Sequence, residues 1–155
     1  MSFTGLPIFD ETLQLSNVWL NELMEELDWK DKKRAYRVLR ATLHALRDRL
    51  TAHEAIHLGA QLPMLIRGLY YEGWHMKEGA SPEHTKQAFF DHVYGELRDD
   101  PGIDAERPVR AVFKLLVRKI TPGEIEDVKN MLPAGVRALW PNAREESARA
   151  AIATG

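Results

Sequence analysis

The sequence predicts an all-α protein made of two tandem four-helix repeats, related by a pseudo-twofold axis and packed as one compact helical bundle. Apolar residues recur at helical spacing through most of the chain, and alternating strand patterns are nearly absent. A displacement of 70 residues also superimposes the second half on the first without a gap. Leu50-Thr51-Ala52-His53-Glu54 then lies over Ile120-Thr121-Pro122-Gly123-Glu124, and Leu62-Pro63 lies over Leu132-Pro133. Two copies are fewer than a solenoid needs, which favours a closed bundle.

The first repeat, about residues 10–74, contains four predicted helices. The first runs from about Asp10 to Leu27, and a second follows the polar stretch after it. Thr51-x-x-Glu54 predicts a capping box at the start of a short third helix, in which each side chain binds the backbone N–H of the other residue. Pro63 ends that helix and begins a fourth, which extends through Tyr71. The apolar stripe of the second helix consists of Ala35, Val38, Leu39, Thr42, Leu43, Leu46 and Leu50.

The second repeat, about residues 81–141, follows the same plan. Ser81-Pro82-Glu83 combines a cap, a first-turn proline and an acid at the positive end of a helix that runs to about Leu97. We expect Asp104 to cap the next helix, and Thr121-x-x-Glu124 to form a second capping box. Leu132-Pro133 again breaks the chain between the last two helices.

A single globular domain is expected for residues 1–155. The joint between the repeats, residues 72–80, is too short and too aromatic for a free tether, so the halves should pack against each other. Residues 142–155 form an Ala- and Glu-rich tail, for which we expect a frayed helix or disorder.

Composition excludes several classes of function. With 45% hydrophobic and 28% charged residues, the chain resembles a globular protein and not a disordered one. A net charge of −2 argues against general binding of nucleic acid, and the absence of cysteine excludes disulfides and thiolate metal sites. The sequence has neither a signal peptide nor a membrane-spanning stretch, so we expect a cytoplasmic protein with no membrane association.

One short motif suggests a metal. His53-Glu54-Ala55-Ile56-His57 matches the His-Glu-x-x-His pattern, in which two imidazoles bind zinc and the glutamate activates its water. The repeat argues against this function, because Gly123 and Asp127 lie over the two histidines while Glu124 keeps the capping acid. We therefore predict no metal and no cofactor, and keep a zinc-dependent hydrolase acting through His53 and His57 as the alternative.

Arginines occur at matching positions of the two repeats: Arg37 with Arg107, Arg40 with Arg110, and Arg67 with Arg137. The structural interpretation is that they bridge helices or bind the carbonyls at helix ends. The functional alternative is a pair of anion-binding or nucleic-acid-binding positions. A basic cluster, Lys30 to Arg34, is interrupted by acids and is expected to be a solvated face. The remaining histidines are expected to be isolated surface residues: His44, His84 and His92.

An aromatic run, Tyr70-Tyr71-Glu72-Gly73-Trp74, lies at the joint between the repeats. Tyrosine and tryptophan can bury their rings while a polar edge stays hydrated, so the run is expected to seal the two halves. If part of it is exposed, Tyr70, Tyr71 and Trp74 are the best candidates for a partner or ligand surface.

A longer stretch resembles a known family. Two segments look like the bacterial "domain of unknown function 2267" family: residues 39–50, and residues 60–74 from Ala60-Gln61-Leu62-Pro63 to Glu72-Gly73-Trp74. Part of this pattern occurs again at Leu132-Pro133 and Arg137. The resemblance covers about residues 10–140. It implies an all-helical bacterial protein of this size and brings no established activity, cofactor or catalytic residue.

From these observations we predict a non-enzymatic helical module that binds a partner protein or associates with itself. The candidate binding residues are Tyr70, Tyr71, Trp74, Arg40, Arg67, Arg110 and Arg137.

Overall fold

The computed structural model describes residues 2–76 and 85–142, and within these residues the chain forms eight helices and no strand. The predicted all-α class is therefore confirmed. The predicted helix start at Ser81-Pro82-Glu83, His84 and the tail after residue 142 lie outside the described residues. None of the described helices is both long enough and apolar enough to cross a membrane. The helices are α1 (Pro7–Leu27), α2 (Lys32–Arg47), α3 (Ala52–Ala60), α4 (Met64–Tyr71), α5 (Lys86–Gly95), α6 (Glu106–Lys119), α7 (Pro122–Asn130) and α8 (Ala134–Arg137).

Local signals account for most helix ends. α1 begins at Pro7, earlier than the predicted Asp10, because proline is pre-organised for the first helical position. It ends at Asp28, which adopts a left-handed conformation (φ 54°). The side chain of Asp31 accepts from the Arg34 N–H and so caps α2. Asp104, predicted to cap the sixth helix, lies one residue before the cap position, which is Ala105, and its side chain accepts from the N–H of Glu106.

The two predicted capping boxes differ from each other in the structure. The Thr51 hydroxyl accepts from the Glu54 N–H, which is one half of the box predicted for α3. The other half is wrong, because the Glu54 side chain faces Glu124 and does not bind the Thr51 N–H. The prediction for α7 is wrong, because the Thr121 side chain makes no cap hydrogen bond. Instead, the Gln61 amide binds Thr121 twice: its Oε1 accepts from the Thr121 N–H (2.9 Å), and its Nε2 donates to the hydroxyl (3.0 Å). The third helix of one half is thus joined to the third helix of the other.

The long helices pair across the two halves. α1 packs against α6, and α5 packs against α2, while α2 also contacts α1, α4 and α6. The helices share one hydrophobic core in which Phe113 and Trp140 stack with their ring centroids 4.1 Å apart. Burying a side chain of this kind contributes roughly 1.5–3 kcal/mol. The largest fully buried side chains are those of Tyr70, Phe89, Phe113, Leu23, Leu27, Leu39, Leu43, Leu46, Leu58, Leu62, Ile66 and Leu115.

Several features recur at the predicted displacement of 70 residues. The bounds of α7 are those of α3 moved by 70 positions, and α8 begins 70 positions after α4. Arg67 Nε donates to the Gly59 carbonyl at 2.9 Å, and Arg137 Nε donates to the Lys129 carbonyl at 3.0 Å. The two-repeat organisation remains a proposal, which these matched positions support.

Two glycines inside helices provide a matched test of packing at the α3–α4 contact. A Cβ on Gly59 would lie 2.3 Å from the Tyr71 hydroxyl, whereas a Cβ on Gly68 would meet nothing within 4 Å. We expect Gly59→Ala to lower the free energy of unfolding by about 1–3 kcal/mol, because the Tyr71 ring must move. Gly68→Ala should raise it by roughly 0.5–1 kcal/mol, because alanine restricts the unfolded chain. Urea unfolding of both variants measures the difference, and equal effects would contradict the α3–α4 packing.

Candidate functional site

The N-terminal half of α1 carries exposed apolar side chains. One face of α1 forms a stripe that is buried at Leu23 and beyond. Toward the N-terminus this stripe continues, at helical spacing, through Leu20, Ser16, Leu13 and Phe9. Phe9 is 51% exposed and Leu13 is 40% exposed, so this part of the stripe has no complete cover within the described residues. Other exposed apolar side chains in or beside α1, α2 and α4 are those of Leu6, Ile8, Leu15, Val18, Tyr36, Met64 and Leu65.

A groove runs between this stripe and α4. It consists of two adjoining cavities of about 610 and 350 Å³, both of which are lined by Ser16, Leu20 and Leu65. The Leu65 N–H donates to the Thr12 hydroxyl at 2.9 Å, which fixes the start of α4 against α1. Ser16 is buried, and its hydroxyl has no hydrogen-bond partner among the described residues. The groove is thus apolar, with one unsatisfied hydroxyl in its lining.

The electrostatic environment of the groove is acidic. The charged side chains among its described lining residues are Asp10 and Glu72. Hydrogen bonds from the Ser2 hydroxyl and the Thr4 N–H lower the pKa of Asp10, which keeps its carboxylate charged. Arg40 approaches Glu72 to 3.2 Å from the side of α2. The whole of α1 contains five acids and no basic residue: Asp10, Glu11, Glu22, Glu25 and Glu26.

The aromatic joint lies mainly inside the protein. Tyr70 is fully buried, and its hydroxyl donates to the Ala55 carbonyl at 2.7 Å. Tyr71 and Trp74 are half-buried against the core, with their ring centroids 5.5 Å apart. The ring of Tyr70 is therefore closed to a partner, and a binding role for Tyr71 and Trp74 remains a prediction.

The paired arginines make structural contacts. Arg67 and Arg137 donate to carbonyls at the ends of α3 and α7, where such groups lack partners within the helix. Arg40 donates to Glu96 at 2.8 Å and so joins α2 to the end of α5. Arg110 lies 4.0 Å from Glu106, beside a small cavity of about 210 Å³. The structure brings Arg40 and Arg110 to different places, and anion binding by either stays a prediction.

His44 was expected at the surface, and this expectation is wrong. Its side chain is buried, with Nδ1 2.8 Å from Glu96 Oε1 and Nε2 2.6 Å from the Leu69 carbonyl oxygen. His92, also expected at the surface, is half-buried beside the same carboxylate, and its pKa is lowered mainly by burial. Sequence reasoning missed this cluster, although Arg40 and His44 lie one helical turn apart on the core side of α2.

The histidine motif is divided between the surface and the interior. His53 and His57 are exposed with their ring centroids 4.2 Å apart, whereas Glu54 is buried and faces Glu124 of α7. Glu54, His57 and Glu124 each offer one atom that could bind a metal ion, and these three atoms lie within 4.8 Å of one another. His53 is not part of this group. Burial, a hydrogen bond with Glu54 and the charges of Glu54 and Asp127 raise the pKa of Glu124 to about 8. The sequence contained one sign of this contact, because the two glutamates occupy the same position in both repeats.

Comparison with known proteins identifies the family. The profile of a family described as an uncharacterized conserved protein (DUF2267) matches residues 16–139. The chain belongs to the DUF2267 family. The resemblance predicted from the sequence is thereby confirmed, and the family description assigns no activity. The match includes Glu54, His57 and Glu124, while the residues of α1 before Ser16 lie ahead of it. A search of curated proteins found no match.

The carboxyl pair of this DUF2267 protein should make its stability depend on pH. Because the folded-state pKa of Glu124 is about 8 and its unperturbed value is 4.5, the folded state binds more protons between these limits. The free energy of unfolding should therefore fall as pH rises from 5 to 8, by up to about 1.4 kcal/mol per pH unit. Glu124→Gln should remove this component, whereas Glu126→Gln, at an exposed position of the same helix, should retain it. The measurement is urea unfolding in buffer containing a chelator, and superimposable pH profiles of wild type and Glu124→Gln would contradict the assignment.

Proposed function

We propose that this protein is a non-enzymatic interaction module that binds an amphipathic helix of a partner protein in the groove between α1 and α4. The observation that carries the proposal is the apolar stripe of α1, which leaves the core at Leu20 and continues, exposed, through Leu13 and Phe9. Each large apolar side chain that a partner covers there contributes roughly 1.5–3 kcal/mol to binding. A cytoplasmic location remains part of this proposal.

The equivalent positions of the second half line a different cavity. It has a volume of about 590 Å³ and is lined by Lys86, Gln87 and Phe90, which stand 70 residues after Ser16, Asn17 and Leu20. Seventy residues after Leu13 and Leu65 stand Glu83 and Gly135, so the sequence does not repeat these two apolar residues. A Cβ on Gly135 would lie only 2.9 Å from the Cβ of Lys86, so α8 packs closely on α5 there. The apolar residues of the groove are thus only partly repeated, which supports a role particular to the first half.

Charge indicates which helix would fit. Asp10 lines the groove beside the exposed stripe, and α1 has no basic residue that could offset its charge. A helix whose apolar stripe is flanked by lysine or arginine would place opposite charges along the rim. A second copy of this chain would instead bring acidic α1 against acidic α1. We therefore favour a basic amphipathic helix over self-association.

Fluorescence anisotropy with two synthetic helical peptides tests the proposal. Both carry the same leucine stripe, and the flanking positions are lysine in one peptide and glutamate in the other. The lysine peptide should bind at least about tenfold more tightly at low salt. Leu65→Glu and Leu13→Glu should weaken its binding by about tenfold or more. Ile56→Glu is the matched control, because Ile56 on α3 is 47% exposed, against 48% for Leu65, and lies away from the groove.

Three outcomes would overturn the proposal. Equal binding of both peptides, or unchanged binding by Leu65→Glu protein, would show that the groove is not the recognition surface. Sedimentation that reveals a dimer in wild type and a monomer in Leu65→Glu would assign the groove to a second copy of the chain.

A further inference from the structure

We propose that Glu54, His57 and Glu124 form a binding site for a divalent transition-metal ion, with zinc as the test ion, that joins α3 to α7. Two carboxylates and one imidazole are a donor set that zinc and its neighbours in the first row accept. The site combines one helix from each half of the chain, so an ion bound there would cross-link the halves. Its location is separate from the groove of α1 and α4.

The distances between the three potential ligand atoms are close to those that a bound ion requires. One ligand atom from each of the three side chains lies within 4.8 Å of the other two. Zinc holds oxygen and nitrogen ligands at about 2.0–2.2 Å, so its ligands are roughly 3.4 Å apart. With both helices fixed, small side-chain rotations would bring the ligand atoms from 4.8 Å or less to the spacing of about 3.4 Å that zinc requires. His57 is exposed, which gives an ion access from solvent and leaves the remaining coordination positions to water.

The buried carboxyls supply an independent observation. Glu54 is 5% exposed and Glu124 is 7% exposed. Apart from the hydrogen bond that the two carboxyls share, the Oε1 atom of each is buried without a partner among the described residues, and no ion pair within those residues involves either carboxyl. A buried acidic oxygen without a partner is costly, and two of them face the same space. A bound cation would satisfy both.

This donor set differs from the zinc pattern in the sequence. In the His-Glu-x-x-His arrangement both histidines bind the metal, and the glutamate acts on its water. Here Glu54 is itself a ligand, the second carboxylate comes from a helix 70 residues away, and His53 lies outside the group. The two arrangements therefore make opposite predictions about His53.

Calorimetric titration of zinc chloride into chelator-stripped, tag-free protein tests the site, together with thermal unfolding with and without zinc. Wild type should bind one ion per chain and unfold at a higher temperature when zinc is present. His57→Ala and the isosteric Glu124→Gln should each weaken binding at least about tenfold and remove the thermal shift. His53→Ala is the matched control, one turn away on the same exposed face, and should bind within about twofold of wild type.

Circular dichroism of each variant establishes that it is folded, and Glu124→Gln should still bind the lysine peptide in the groove. The absence of a one-to-one zinc complex in wild type at up to about 0.1 mM zinc would overturn the site. Loss of binding in His53→Ala with retention in Glu124→Gln would overturn it as well, since the two histidines would then be the ligands.

Discussion

The pairing of long helices across the two halves is the constraint on which the rest of the structure depends. α1 packs on α6 and also on α2 and α4 of its own half, while α5 packs mainly on α2, so the first helix of each half depends on the other half for part of its cover. As a consequence α2 is enclosed on several sides, and ten of its sixteen residues are buried. Side chains on the enclosed sides of such a helix are removed from solvent, and a buried polar group there is costly unless it has a hydrogen-bond partner.

The polar residues of α2 accordingly hold neighbouring elements in place. The buried guanidinium of Arg47 donates to the Tyr70 carbonyl at 2.7 Å and to the Glu72 carbonyl at 2.9 Å, which fixes the end of α4. His44 connects the same helix to Glu96 at the end of α5. Buried groups of this kind define an arrangement more than they stabilise it, because their desolvation offsets much of the attraction. They position α4, and hence Leu65 and the groove.

The helices could be predicted because their ends depend on interactions between residues close in sequence, whereas the contacts between helices could not be predicted. Thr51, Asp104 and Pro63 act on backbone groups within a few residues, so their sequence signals were sufficient to find helix ends. The side chains of Glu54 and Thr121 show the limit. Each fits a capping pattern, yet Glu54 faces Glu124 and Thr121 binds Gln61, partners 60 or more residues away. The α1 groove was missed for a related reason: the apolar spacing of Phe9 and Leu13 is the same whether a helix covers them or not.

The proposed duplication would account for the contact between two acids. If two repeats are related by a twofold axis, a residue near that axis must lie beside its own counterpart, whatever its chemistry. An acid at the start of a helix in one half is then placed against a second acid, and burial, a hydrogen bond with Glu54 and the repulsion between the two charges raise the pKa of Glu124. A proton relieves this repulsion, and so does a metal ion. The His57 position differs between the repeats, with Asp127 as its counterpart, so only one side of the axis offers an imidazole. If the two halves arose by duplication, a repeated pair of carboxyls and one unmatched histidine would be enough to form the proposed three-ligand site.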